Sequence, residues 1–131
     1  MENWELIKLA EKAREFSCSS ISGFKVGAAL LTKDGRVFTG CNIEDPSGIG
    51  VTNICAERCA VIKALSEGCR DFEKIAIVGG AEEIIFCTPC GACRQYLNSF
   101  GADITVVCTD GHEIREFSAG KLLPFSFDEQ F

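Results

Sequence analysis

The 131-residue chain has no basic run. Its 13 Lys and Arg are scattered among 19 Asp and Glu, for a net charge of −6. Binding along a nucleic-acid backbone needs clustered cations to neutralise phosphates, so no nucleic-acid partner is expected. No apolar stretch approaches the roughly 20 residues that span a bilayer, so no membrane association is expected either. The opening segment, "MENWELIKLAEKAREF", is charged and amphipathic and lacks the apolar core of a secretory leader. The expected location is the cytoplasm. The single histidine, His112, sits in "TDGH" and reads as a solvated turn residue rather than a metal ligand or general base. Repeats, low-complexity segments and long linkers are absent too, so residues 1–131 read as one domain.

What the chain does have is apolar surface and sulfur. Hydrophobic residues make up 47% of it, enough for a core and too many for disorder. It holds nine cysteines. An odd number cannot all pair within one chain, and a cytoplasmic location is reducing. Metal binding is therefore the first reading of cysteines set close together.

Local patterns give the order of elements. Leu6, Leu9, Ala10, Ala13 and Phe16 share one face of a helix expected over residues 4–16. "GFKVGAALLT" reads as a strand, "KDGR" as a hairpin turn centred on Asp34-Gly35, and "VFTGCNI" as the return strand. A loop over 45–54 precedes a helix from about Ala56 to Glu67, stopped by Gly68. That helix is apolar over much of its circumference, so deep burial is expected. "KIAIVGG" reads as a buried strand, 91–100 as a helix with Tyr96, Leu97 and Phe100 inward, and "DITVVCT" and "EIREF" as strands. Only "TDGH" separates the last two, so they are expected to be antiparallel. A short helix near 118–122 completes the pattern. The expected fold is α/β, with a mixed five-stranded sheet between helical layers.

Chemistry concentrates at two helix starts. In "TPCGACRQYL", Cys90 and Cys93 stand at i and i+3, on one side of a first helical turn. That spacing suits one tetrahedral zinc, and the helix N-terminus favours the thiolates zinc needs. "NICAERCAV" places Cys55 at another helix start, with Glu57 two residues on. If the two starts share a sheet edge, Cys55, Cys90 and Cys93 meet, and three thiolates leave a fourth position for water. Arg58 and Arg94 are candidates to offset the thiolate charge, Arg58 the stronger. Other readings stay open here. Cys87 makes "CTPCGAC" a C-x2-C-x2-C run, which with Cys55 gives a structural four-cysteine zinc module or an iron–sulfur site. "CGAC" alone also fits a redox pair. Cys18, Cys41, Cys59, Cys69 and Cys108 read as core or near-surface residues.

Cys55-Ala56-Glu57 followed by Pro89-Cys90-x-x-Cys93 resembles the three-cysteine variant of the zinc deaminase signature. With "FKVGAALLTKDGRVFTGCNIE", "CAERCAVIKALSEG", "PCGACRQ" and "LLPFSF" in order, the chain is similar to small homotetrameric cytidine deaminases over nearly its whole length. The resemblance implies a layered α-β-α fold, one zinc per chain on Cys55, Cys90 and Cys93, and a homotetramer. It implies hydrolytic deamination of cytidine and deoxycytidine to uridine and deoxyuridine in pyrimidine salvage. Zinc-activated water would add at C4, with Glu57 taking the water's proton, delivering it to N3, and then helping the amino group leave as ammonia. The Ala56 backbone would contact the pyrimidine oxygen, Asn42 and Glu44 the ribose. Phe24 would line the base pocket, and Phe127 would stack on a base in a neighbouring subunit. The loop "DPSGIGVTN" departs from the family pattern: it is longer and has no Tyr or Phe. A blasticidin-S-type deaminase is the alternative enzyme, its cationic substrate suited to the acidic Glu44-Asp45 pair. A nucleic-acid-editing deaminase is not expected, because it would need a basic channel and this chain is acidic.

Overall fold

The computed structural model describes residues 1–127. Helix α1 (Asn3–Arg14) starts where Glu2 caps it reciprocally, its own N–H donating to Glu5 Oε2 at 2.9 Å. Leu6, Ile7, Ala10 and Ala13 form its buried stripe. The helix stops before Phe16, which is 71% exposed, so the apolar face is one turn shorter than the pattern predicts. Ser17 and Cys18 already follow an extended path there, with the Cys18 N–H bonded to the Asn42 carbonyl.

Strands β1 (Lys25–Thr32) and β2 (Val37–Cys41) form the expected hairpin, and Gly35 takes φ +89° in its turn. Helix α2 (Ala56–Ser66), strand β3 (Phe72–Gly80), helix α3 (Gly91–Phe100) and strands β4 (Thr105–Thr109) and β5 (Ile114–Ser118) follow. The sheet order is β2-β1-β3-β4-β5. Among the strand pairs of the described residues only β3–β4 is parallel, joined through α3, and β4–β5 is the antiparallel pair expected from its four-residue connection.

Alternation along the central strands splits the core into two layers. Ala29, Leu31, Ala76, Val78 and Val107 face α1. Ala28, Leu30, Ile75, Ile77, Val106 and Cys108 face the side where α2 and α3 lie, against Ala60, Val61 and Leu97. Each fully buried aliphatic side chain contributes about 1.5–3 kcal/mol. Gly40 lets α2 sit close on the sheet: a Cβ there would lie 2.6 Å from both Ala56 O and Ala60 N.

Two expectations change. Helix α2 is buried along one stripe only, with Ile62 44% exposed on the far side. An apolar residue on a helix surface is ordinary, so composition overstated its burial. No helix forms near 118–122. The chain turns there, because the Ala119 and Gly120 N–H groups are drawn to the Ile104 and Ala102 carbonyls, and Pro124 disfavours helix at Leu123. Among the described residues, no helix is long and apolar enough to cross a membrane.

Candidate metal centre and adjoining cavity

Cys55 is the N-cap of α2, Cys90 the N-cap of α3, and Cys93 lies in the first turn of α3. Both helices cover the same sheet face, so their starts converge. The Sγ atoms of Cys55, Cys90 and Cys93 all lie within 4.8 Å of one another. Cys55 and Cys90 are 3.8 Å apart. A tetrahedral zinc with Zn–S bonds of ~2.3 Å has S···S edges of about 3.8 Å, so this spacing already fits the metal. Cys93 is buried, Cys55 half-buried and Cys90 exposed, leaving one side of the cluster accessible. Cys87 lies outside the cluster, its Sγ directed to the Thr88 carbonyl at 3.9 Å. Burial pushes its thiol up to about 11. Among the described residues the metal-ligating set is thus three sulfurs, without the fourth that a closed structural site needs.

The cluster attracts charge. Hydrogen bonding with Cys93, and then with Cys90 and Arg58, outweighs burial and holds the Cys55 thiol well below its usual range. The shared bond with Cys55 and burial together raise Cys93. Arg58 donates from Nη2 to the Asn53 carbonyl at 3.0 Å, while its buried Nε–H has no hydrogen-bond partner among the described residues. Burial opposes its charge, but interaction with Cys55 and Cys93 prevails and raises it. An unpaired buried donor beside sulfur is a cost that an anionic thiolate set removes.

Glu57, in the first turn of α2, is only 5% exposed. Burial, reinforced by the Cys55 charge, pushes its carboxyl up to about 7. It borders a cavity of about 170 Å³ whose wall also includes Val26, Asn42, Ala56, Thr88, Cys55, Cys87 and Cys90. Wider hollows exist, such as the apolar groove of about 450 Å³ between α1, β2 and α2, but it holds none of the three clustered sulfurs. Chemistry rather than size marks the smaller cavity.

The other expected site residues are placed as follows. Asn42 Oδ1 accepts from the Val26 N–H at 2.9 Å and from the Ser17 hydroxyl, and Nδ2 donates to the Phe24 carbonyl at 2.8 Å. It therefore pins the segment entering β1 as well as lining the cavity. Glu44 accepts from the Ile21 and Ser22 N–H groups at 3.1 and 3.0 Å. Hydrogen bonds from Ser22 hold its carboxyl below the usual range. Phe24 is half-buried and Phe127 is exposed, and neither is on the cavity wall. The 45–54 loop is organised by Asp45, which accepts from Ser47 and Thr52, and Asn53 ties it to Arg58. Arg94 is half-buried, and its guanidinium donates to the Pro89 carbonyl and the Thr88 hydroxyl. Val26 and Thr88 are cavity residues that the sequence pattern did not single out, and Cys87, a candidate fourth ligand in the sequence, lines the cavity instead. For Thr88, adjacency to Pro89-Cys90 was the available signal.

Residues 2–109 match the family model "Cytidine and deoxycytidylate deaminase zinc-binding region". The chain is 42% identical over 132 residues to a cytidine deaminase of Sporosarcina psychrophila, covering 99% of this chain and 94% of that protein. It is 46% identical over 129 residues to a cytidine deaminase of Halalkalibacterium halodurans, at 97% and 95% coverage. A crystal structure of cytidine deaminase from Burkholderia pseudomallei superposes with a TM-score of 0.88 at 44% identity, over 97% of this chain and all (100%) of that one.

Proposed function

Because the chain belongs to the cytidine and deoxycytidylate deaminase family, we propose that it is a zinc-dependent enzyme hydrolysing cytidine and deoxycytidine to uridine and deoxyuridine, with release of ammonia. The observation that carries this reading is a cluster of three sulfurs within 4.8 Å of one another, two of which, Cys55 and Cys90, share the wall of one small cavity with the buried carboxyl group of Glu57.

Cys55, Cys90 and Cys93 would hold one zinc per chain. The metal would supply Lewis-acid activation of a water molecule, the nucleophile needed at C4 of the cytosine ring. Glu57 is the catalytic acid and base. Burial raises its carboxyl, which suits a group that both takes and gives a proton. Its carboxylate accepts one proton from the water and delivers it to ring N3; it then takes the second proton from the added hydroxyl and passes it to the amino group, which leaves as ammonia as the C4–N bond breaks and C4=O forms. It is free for both steps because it is not a ligand. The Ala56 N–H, at the start of α2, faces the pyrimidine oxygen. Arg58 balances the charge of the thiolates.

Asn42 and Glu44 read the sugar. An amide carries two N–H donors. With one on the Phe24 carbonyl, the second is left for a ribose oxygen, while ionised Glu44 accepts from a ribose hydroxyl. Phe24 borders the base, and Phe127 stacks on a base held by a neighbouring subunit of a homotetramer. The acidic charge favours a free nucleoside over a polynucleotide. The setting is cytoplasmic pyrimidine salvage, in one domain spanning 1–131.

A nucleoside panel on one purified sample tests the reading. Ammonia release from cytidine and deoxycytidine, with zinc near one per chain, is expected. Release from blasticidin S but not from cytidine refutes the substrate assignment.

A further inference from the structure

Helix α3 bears sulfur on one side and a polar ladder on another. Arg94, directly after Cys93, spreads its three donor nitrogens over two parts of the chain. Nε donates to the Pro89 carbonyl at 2.8 Å and Nη2 to the Thr88 hydroxyl at 3.0 Å, both in the loop that ends at Cys90. Nη1 donates to the Leu122 carbonyl at 2.8 Å, at the head of the segment that follows β5. Further along the helix, Gln95 closes a reciprocal pair with Phe127, donating to its carbonyl at 2.8 Å and accepting its N–H at 2.9 Å. Asn98 donates to the Ser126 hydroxyl. Residues 122–127 are thus held along the helix that carries two of the sulfurs.

A guanidinium is one rigid plane with donors at fixed angles. Rotating it to follow a displaced Leu122 carbonyl takes Nε away from Pro89, the residue bonded to Cys90. The loop and the segment therefore cannot shift independently while Arg94 bridges them. We propose that Arg94 is a positioning residue that couples the seating of residues 122–127 to the placement of the Cys90 sulfur. The proposal rests on the zinc reading above. Coupling between two binding events is reciprocal, so zinc on Cys90 should steady residues 122–127, and these residues should help retain zinc.

Hydrogen exchange followed by mass spectrometry, on zinc-loaded and chelator-stripped protein, tests this. In the wild type, stripping should speed exchange across 121–127 about tenfold, the scale of one charge-assisted hydrogen bond, while the β3 peptide 75–78 stays unchanged. Arg94→Ala should exchange 121–127 at the fast rate in both states. Arg94→Lys, which keeps the charge and loses the fork, should lie between. Cobalt(II)-loaded Arg94→Ala should show a thiolate charge-transfer band displaced from that of the wild type, which a change in stability alone does not produce. Equal exchange of 121–127 with and without zinc in the wild type overturns the coupling. So does a zinc effect that survives Arg94→Ala, or a β3 peptide that accelerates alongside. Failure to take up metal at all, read on the same samples, refutes the zinc reading and the coupling with it.

Discussion

Gly40→Ala is a perturbation one atom large whose effect should reach the metal centre. Gly40 is buried in β2, opposite Ala28 of β1, and directly beneath the first turn of α2. An added Cβ would lie 2.6 Å from Ala56 O and Ala60 N and 2.9 Å from Cys59 Cβ. The first two are main-chain atoms, which no rotamer change moves. Ordinary contact begins near 3.4 Å, so the helix must retreat by 3.4 − 2.6, or about 0.8 Å. Overpacking of this kind costs about 1–3 kcal/mol, roughly 4–12 °C in Tm for a domain of this size. The same helical turn carries Cys55, Ala56 and Glu57. Misplacing catalytic groups by ~1 Å costs roughly 100-fold in rate. Gly40→Ala should therefore lower kcat/KM on cytidine far more than its modest loss of Tm implies, with weaker zinc retention. Gly50→Ala is the control, because nothing lies within 4 Å of an added Cβ there. Thermal melts, metal analysis and initial rates on the three proteins decide it. A Gly40→Ala protein with wild-type rate and zinc content refutes the argument that close approach at Gly40 sets the position of α2.

Glu57→Gln should keep zinc and fold while kcat falls by about 10²- to 10⁴-fold, and near-wild-type turnover would remove the acid–base role. Cys90→Ala should lose both metal and activity, whereas Cys87→Ala should keep zinc at the wild-type ratio, since Cys87 lies outside the sulfur cluster. Metal loss in Cys87→Ala, measured by elemental analysis, would instead place it among the ligands. Leu97→Ala empties a fully buried position between α3 and the sheet and should cost about 2–5 kcal/mol in urea unfolding. A cost below about 1 kcal/mol would mean that α3 is not anchored by this side chain.

Much of the fold could be read from local pattern because local rules and tertiary packing agree. Alternation in "KVGAALLT" and "KIAIVGG" matches the two layers that the sheet separates, and Asp34-Gly35 sits in the hairpin turn. Two cysteines three apart at a helix start, and a third at another, are likewise local signals, and the fold brings those sulfurs together. The failures occur where distant contacts decide. Phe16 continues the helical periodicity, but its neighbours bond to the strand-like path near Asn42, and the helix ends. Residues 118–122 have helical composition around Ala119, yet Ile104 and Ala102 capture the Ala119 and Gly120 N–H groups, and only a turn forms beyond them. Asn42 offered no sign of its bonds to Ser17, Phe24 and Val26. Arg94 reads from the sequence as a candidate to offset the thiolate charge, and its bonds to the Pro89 and Leu122 carbonyls are not legible there because they are main-chain groups, which side-chain identity does not encode.

Zinc K-edge X-ray absorption on the active protein tests the central claim most directly. Three sulfur scatterers at ~2.3 Å and one lighter atom at ~2.0 Å are expected, unchanged in Cys87→Ala. Four sulfurs around the metal, or full activity in protein without zinc, would contradict it.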